Sequence, residues 1–163
     1  MPQMNTQCRL AARPVGLPTA ADWKIVQEAL PTAGDGEFLV EVDYLSIDPA
    51  SRTWMNPRDT YMPALKIGEV MRAMAIGTVA ESRHDRFSVG DQVSGMFGVQ
   101  NYALSNGLGV SKVDTTLAPA PLHLGALGIS GLTAYFGLLD IGRPQPGQTV
   151  LVSGAAGARA CSM

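Results

Sequence analysis

Histidine and cysteine are scarce in this chain, two of each among 163 residues. Cys8 and Cys161 stand near opposite ends, His84 and His123 are far apart, and no CxxC or HxxxH spacing occurs. A zinc site built from closely spaced ligands is therefore not expected, and neither is a disulfide framework. Charge is also thin: Asp, Glu, Lys and Arg supply 16% of the residues, against a usual share of about 25%. The net charge is −2 with no run of one sign, so the clustered basic patch of a nucleic-acid surface is missing. Apolar stretches are interrupted by Gly, Asp or Pro well before the ~18 residues that a membrane span requires. The opening residues, MPQMNTQCRLAARP, lack the apolar segment of a secretory signal. Together these absences predict a cytoplasmic protein of a reducing compartment that binds neither membrane, metal nor nucleic acid.

What is present argues for a packed core. Hydrophobic residues make up 46% of the chain. At roughly 100–200 residues per domain, the length suits one domain, or one and a fragment of a second. Eighteen glycines and eleven prolines are scattered singly between short apolar runs, which is the punctuation of many strands and tight turns.

Arg9 and Leu10, the loop carrying Pro14, Gly16 and Pro18, and then Trp23-Lys24-Ile25-Val26 read as strand, turn and strand. After the turn Gly34-Asp35-Gly36, the residues Phe38, Val40, Val42 and Tyr44 alternate with Glu41 and Asp43, the period of a half-buried strand. Asp48-Pro49 ends it, because proline cannot donate to a ladder. Residues 50–67 read as irregular. Ala73 to Glu81 predicts another strand, Phe87 to Val93 a strand, a Gly-Asp turn and a strand, and Val99 to Leu104 a further one before the turn Ser105-Asn106-Gly107. A mainly β region closing as a small barrel is the expectation for the first 115 or so residues.

From Pro121 the period changes. Leu132, Tyr135, Phe136 and Leu139 form a helical stripe, with Ser130 placed to cap it and Gly142 and Pro144 to stop it. The apolar run Thr149-Val150-Leu151-Val152 reads as a strand buried on both faces, as in a parallel sheet. Ser153-Gly154-Ala155-Ala156-Gly157 follows at once. Glycines after a first parallel strand let the backbone approach a pyrophosphate, as in dinucleotide folds. Gly128-Ile129-Ser130-Gly131 falls short of a nucleophile elbow, since Leu132 stands where the second glycine belongs.

The stretch GLTAYFGLLDIGRPQPGQTVLVSGAAGA over residues 131–158 resembles the hinge helix and first nucleotide-binding strand of the zinc-independent medium-chain dehydrogenase/reductases. Within them it is most similar to the NADPH-dependent alkenal/prostaglandin reductase group. Tyr44-Leu45-Ser46-Ile47-Asp48-Pro49 resembles a strand-end motif of that group, and Phe87-Ser88-Val89-Gly90-Asp91-Gln92-Val93 its Gly-Asp turn. Two departures stand out. After Pro49 the family continues Tyr-Met-Arg where this chain has Ala50-Ser51-Arg52, and after Ala158 it continues Val-Gly-Ser where this chain has Arg159-Ala160-Cys161.

The resemblance implies a GroES-like substrate domain over 1–125, a hinge helix over 126–143 and the truncated start of a Rossmann domain over 144–163. It implies NADP as cofactor and reduction of the C=C bond of an α,β-unsaturated aldehyde or ketone. It implies that Tyr61 lines the substrate pocket, that Pro49, Ile129 and Thr133 lie at the nicotinamide, and that Gly157 and Ala158 face the pyrophosphate. No residue of the chain is assigned as proton donor, the fragment alone is expected to be inactive, and a homodimer or other self-association is expected. Two alternatives are a non-catalytic β-barrel interaction module and a quinone oxidoreductase of the same superfamily.

Overall fold

A computed structural model describes residues 3–153 of the chain. The chain divides into two compact units, Met1–Val113 and Asp114–Met163.

The first unit is β-rich. It contains β1 (Met4–Leu10), β2 (Trp23–Ala29), β3 (Phe38–Leu45), a short helix α1 (Ala50–Trp54), β4 (Ala75–Ser82), β5 (Gln92–Gly95), β6 (Tyr102–Ser105) and β7 (Ser111–Lys112). β1 and β2 pair as one antiparallel sheet, and the other five strands form a second in the order β6-β3-β4-β5-β7. The free edge of β1 is not left open. Cys8 N–H donates to the Val99 carbonyl at 2.9 Å, Asn101 N–H to the Thr6 carbonyl at 3.0 Å, and Met71 N–H to the Cys8 carbonyl at 2.8 Å. These bonds wrap the hairpin onto the larger sheet. The expectation of a mainly β unit with few helices holds.

Alternation places Phe38 and Val40 of β3 inward, where they meet Ala75, Val79, Phe87, Val93, Phe97 and Ala103. Burying a Phe or Val side chain stabilises a fold by about 1.5–3 kcal/mol, so this cluster is the main source of cohesion. Phe38 stacks on Phe87 with ring centroids 4.5 Å apart, and His84 meets both rings edge-on. The alternation fails at two points. Leu39 is buried as well, and Tyr44 is exposed where period two places it inward. The register shift at Val42/Tyr44 explains the second, since the extra residue Asp43 turns Tyr44 to the other face; the shift at Leu39/Val40 puts its extra residue in β4 and leaves the facing of Leu39 unexplained. Gly77 marks the closest approach of β4 to β3: a Cβ there would lie 2.2 Å from the Glu41 carbonyl oxygen.

Several boundaries differ from the sequence reading. Residues 50–67 are not wholly irregular, because α1 occupies their start. Phe87 makes only an isolated bridge to His84, and a turn at Val89–Gly90 separates it from β5. β6 begins at Tyr102, after a turn through Gly98 (φ +75°).

In the second unit, a 3₁₀ turn (Ala120–His123) precedes α2 (Ile129–Tyr135), which continues directly as a π-helix from Phe136 to Gly142. Gly128, not Ser130, is the N-cap, and the helix ends at Arg143 in the left-handed region (φ 46°). Ser130 lies inside the helix, so its hydroxyl cannot serve as the cap. Gly131 has no room for a side chain, as a Cβ would lie 1.6 Å from the Ala126 carbonyl oxygen. Thr149–Val152 is no strand. Among the described residues nothing pairs with it, and Leu151 is 95% exposed. A parallel strand is held only by neighbours on either side, and an apolar run alone supplies none.

Candidate functional site

Tyr61 sits on the loop between α1 and β4, and four bonds fix that loop. Asp59 accepts from Ala64 N–H at 2.8 Å, and Thr60 N–H donates to the Met62 carbonyl at 2.9 Å. Leu65 N–H donates to the Trp54 carbonyl at 3.0 Å, and Arg72 reaches the Pro63 carbonyl at 2.6 Å. Underneath lies a second apolar cluster of Leu10, Trp54, Met55, Leu65 and Met71. Tyr61 is 73% exposed, yet its hydroxyl oxygen accepts a hydrogen bond from the Trp54 indole N–H at 3.0 Å.

Pro49 is the exposed N-cap of α1. The turn before it is set by the Ser46 hydroxyl donating to Asp48 Oδ2 at 2.7 Å, and Ser51 N–H then bonds the Asp48 carbonyl at 2.9 Å. The divergent Ala50-Ser51-Arg52 has a local role. Arg52 donates to the Gly16 carbonyl at 2.9 Å, the Pro14 carbonyl at 3.2 Å and Asn56 Oδ1 at 2.8 Å, tying the loop after β1 to α1. Ala50 packs on the Trp54 cluster.

In the second unit, Ile129 is 65% exposed and Thr133 is exposed one turn further along α2. The Thr133 hydroxyl donates back to the Ile129 carbonyl at 2.6 Å. Its proton is spent there, which leaves oxygen lone pairs to accept from an N–H donor. Gly157 and Ala158 lie outside the described residues. Tyr61 is thus brought onto Trp54, and Thr133 onto Ile129.

Sequence reasoning passed over a polar array on β1 and β6. Asn5, buried, donates to the Tyr102 carbonyl at 2.8 Å and accepts from Tyr102 N–H at 2.9 Å, so its amide replaces a strand. Gln7 donates to Gln100 at 2.9 Å. The Tyr102 hydroxyl donates to Glu41 at 2.9 Å and accepts from Gln3. Burial pushes the Tyr102 phenol pKa up, and the Glu41 carboxylate adds to the rise. Alternate polar residues at 3, 5 and 7 were the available signal.

Among the described residues, no group of three or more His, Cys, Asp or Glu is arranged to hold a metal ion. The Cys8 thiol pKa is pushed up by burial. A cleft of about 340 Å³ lined by Arg86, Phe87, Val110, Ser111 and Lys112 holds none of the expected site residues. No helix among the described residues is long and apolar enough to cross a membrane.

Residues 6–113 match the family described as the N-terminal domain of oxidoreductase. The chain is 38% identical over 155 residues to the NADPH-dependent curcumin reductase of Escherichia coli, which covers 95% of this chain and 45% of that protein. It is 41% identical over 149 residues to prostaglandin reductase 1 of Bos taurus, covering 88% of this chain and 43% of the relative. The crystal structure of CurA from Vibrio vulnificus in complex with NADPH superposes with a TM-score of 0.87 at 39% identity, over 96% of this chain and 47% of that one. The chain therefore spans less than half the length of these relatives. With two-thirds of the sequence inside the family match, this chain belongs to the oxidoreductase N-terminal domains of the medium-chain dehydrogenase/reductases.

Proposed function

We propose that this chain is the substrate-side portion of a cytoplasmic, zinc-independent, NADP-dependent oxidoreductase. The reaction is reduction of the C=C bond of an α,β-unsaturated aldehyde or ketone. One observation carries this reading: the superposition on the NADPH complex of CurA at 39% identity and TM-score 0.87. The names of the two relatives, a curcumin reductase and a prostaglandin reductase, support the substrate class.

The residues present suit the cofactor chemically. Ile129 offers an exposed apolar side chain for a ring face, and Thr133 offers a hydroxyl oxygen whose own proton is already engaged, free to accept from a carboxamide N–H. On the resemblance, Pro49 would be a further residue for the nicotinamide end, and Gly157 and Ala158, outside the described residues, would hold the pyrophosphate. When bound, NADPH supplies the hydride taken up by the β-carbon of the substrate. What the protein contributes is positioning, exclusion of water and a hydrogen bond to the carbonyl oxygen as negative charge develops on it. Tyr61 belongs to the pocket that holds the substrate. In this reading residues 1–125 form the substrate domain, 126–143 the hinge helix and 144–163 the start of the nucleotide-binding domain. Exposed Leu132, Phe136 and Leu139, spaced at i, i+4 and i+7 along one helical segment, support self-association, as exposed apolar surface marks an interface.

The test joins this chain to the C-terminal half of the Escherichia coli curcumin reductase and follows NADPH oxidation with 4-phenyl-3-buten-2-one. The chimera should turn over and the 163-residue chain alone should not, because the ribose-reading residue comes about 20 positions after the first glycines. Turnover by the 163 residues alone, or a folded chimera that binds NADPH and leaves the enone untouched, overturns the reading.

A further inference from the structure

The bond between Trp54 and Tyr61 has a direction, and the direction has chemical consequences. Trp54 is 7% exposed and is packed among Leu10, Met55, Leu65 and Met71. An indole N–H can only donate. The Tyr61 hydroxyl is therefore compelled to accept, at 3.0 Å, and its own proton must point elsewhere. The tyrosine is 73% exposed, and the loop that carries it is pinned at Asp59, Pro63 and Leu65. An exposed tyrosine usually samples several rotamers and turns its hydroxyl freely. Here the ring is held at both ends, and an outward donor is left with no partner within the described residues.

We propose that Trp54 is a positioning residue: its indole N–H fixes the Tyr61 hydroxyl as an acceptor, so that the tyrosine presents its proton to the carbonyl oxygen of the bound enone. The proposal rests on the reading of Tyr61 as part of the substrate pocket. It adds why that tyrosine acts as donor and which buried side chain holds it. Ligands with an acceptor oxygen conjugated to an apolar chain fit such a site, since the tyrosine ring supplies a flat apolar face beside the donor.

Two measurements on the full chain test it, with Trp54→Phe, Tyr61→Phe and the double variant. Trp54→Phe keeps an aromatic ring in the cluster and removes only the donor. The first measurement is the Trp54 indole proton resonance, assigned by its disappearance in Trp54→Phe. It should move upfield and exchange faster in Tyr61→Phe; an unchanged resonance overturns the positioning role and leaves the pocket reading intact. The second is the dissociation constant of 4-phenyl-3-buten-2-one. Each single variant should weaken binding about three- to tenfold, the value of one hydrogen bond. The double variant should be no worse than Tyr61→Phe, because the two residues act through one contact. Wild-type affinity in Trp54→Phe, or additive losses in the double variant, overturns the proposal. Wild-type affinity in Tyr61→Phe, or no binding by the unaltered chain, instead overturns the pocket reading on which it stands.

Discussion

The two units spend their apolar residues in opposite ways. In the first, Phe38, Val40, Ile76, Val79 and Val93 are almost wholly buried, and a second cluster forms under Tyr61. In the second, Ala134 is the only fully buried apolar side chain among the described residues, while Leu132, Tyr135, Phe136 and Leu139 are each more than half exposed. Paired strands bring their apolar faces together and shut water out. A lone helix with a stripe of large side chains has only its small-residue side, Gly131 and Ala134, to bury. The first unit holds itself together through packing, and the second through local hydrogen bonds of turns and helix. High hydrophobic content promised a core; it did not say that the core would be confined to one unit.

That contrast can be broken most severely at Phe38. Phe38→Ala should cost about 3–5 kcal/mol in urea unfolding, while Leu139→Ala should change the same transition by less than about 0.5 kcal/mol. Equal losses would show that the second unit shares the core. Asn5→Ala comes next. It leaves the buried Tyr102 N–H and carbonyl without their partner, and about 1–3 kcal/mol should disappear from the same transition. Gly131→Ala acts on the other side of the comparison. The methyl group collides with the Ala126 carbonyl, so α2 should lose helicity and residues after 113 should be cleaved faster by protease. The main unfolding transition should stay where it was; a large shift would mean the units unfold together.

The smallest effect concerns the exposed pair of Lys112 and Asp91, 2.7 Å apart. The Lys112 hydrogen bond, followed by the Ser88 N–H, holds the Asp91 pKa below the usual carboxylate value. A lowered folded-state pKa gives stability that is present above the unfolded carboxyl range and is lost as pH falls through the folded value. Lys112→Met should therefore raise the Asp91 midpoint in an NMR titration and weaken the chain only slightly, since exposed pairs contribute little. No movement of that midpoint would show that the ammonium is not its chief partner.

Legibility followed the range of the forces. The strands β1 to β4 are legible because period two and turn residues are local; in β3 the alternation fails at Tyr44, where the extra residue Asp43 turns it outward, and at Leu39, which is buried as well. α1 could not be read, since five residues carry no period. It exists because Ser51 N–H donates to the Asp48 carbonyl at its start, Leu65 N–H donates to the Trp54 carbonyl at its end, and Trp54 is buried. The stripe from Leu132 to Leu139 assumed one helical pitch, whereas the ladder widens to π geometry at Phe136. The apolar run Thr149–Val152 reads as a buried strand, but a parallel strand needs neighbours on either side, which no local pattern supplies. The family blocks led to Tyr61, Pro49, Ile129 and Thr133. Trp54 stayed hidden, because its contact with Tyr61 is created by the closure of a loop.

The clamp between Asn5 and Tyr102 also dictates an order of events. The β1–β2 hairpin is local and can form as soon as both strands exist, but its seat, Val99 to Tyr102, follows about 95 positions later. Contacts of that sequence separation form late, because the intervening loop must close before they stabilise anything. The seat follows the end of the hairpin by about 70 residues, so on a ribosome adding about 5–20 residues per second the hairpin waits roughly 4–15 s for it. Residues 69–71 can cover the end of β1 at Cys8 to Leu10 earlier, but until residue 99 its first half has no partner on that edge and is open to any other strand. Recovery of intact protein should then depend on translation speed between the hairpin and residue 100.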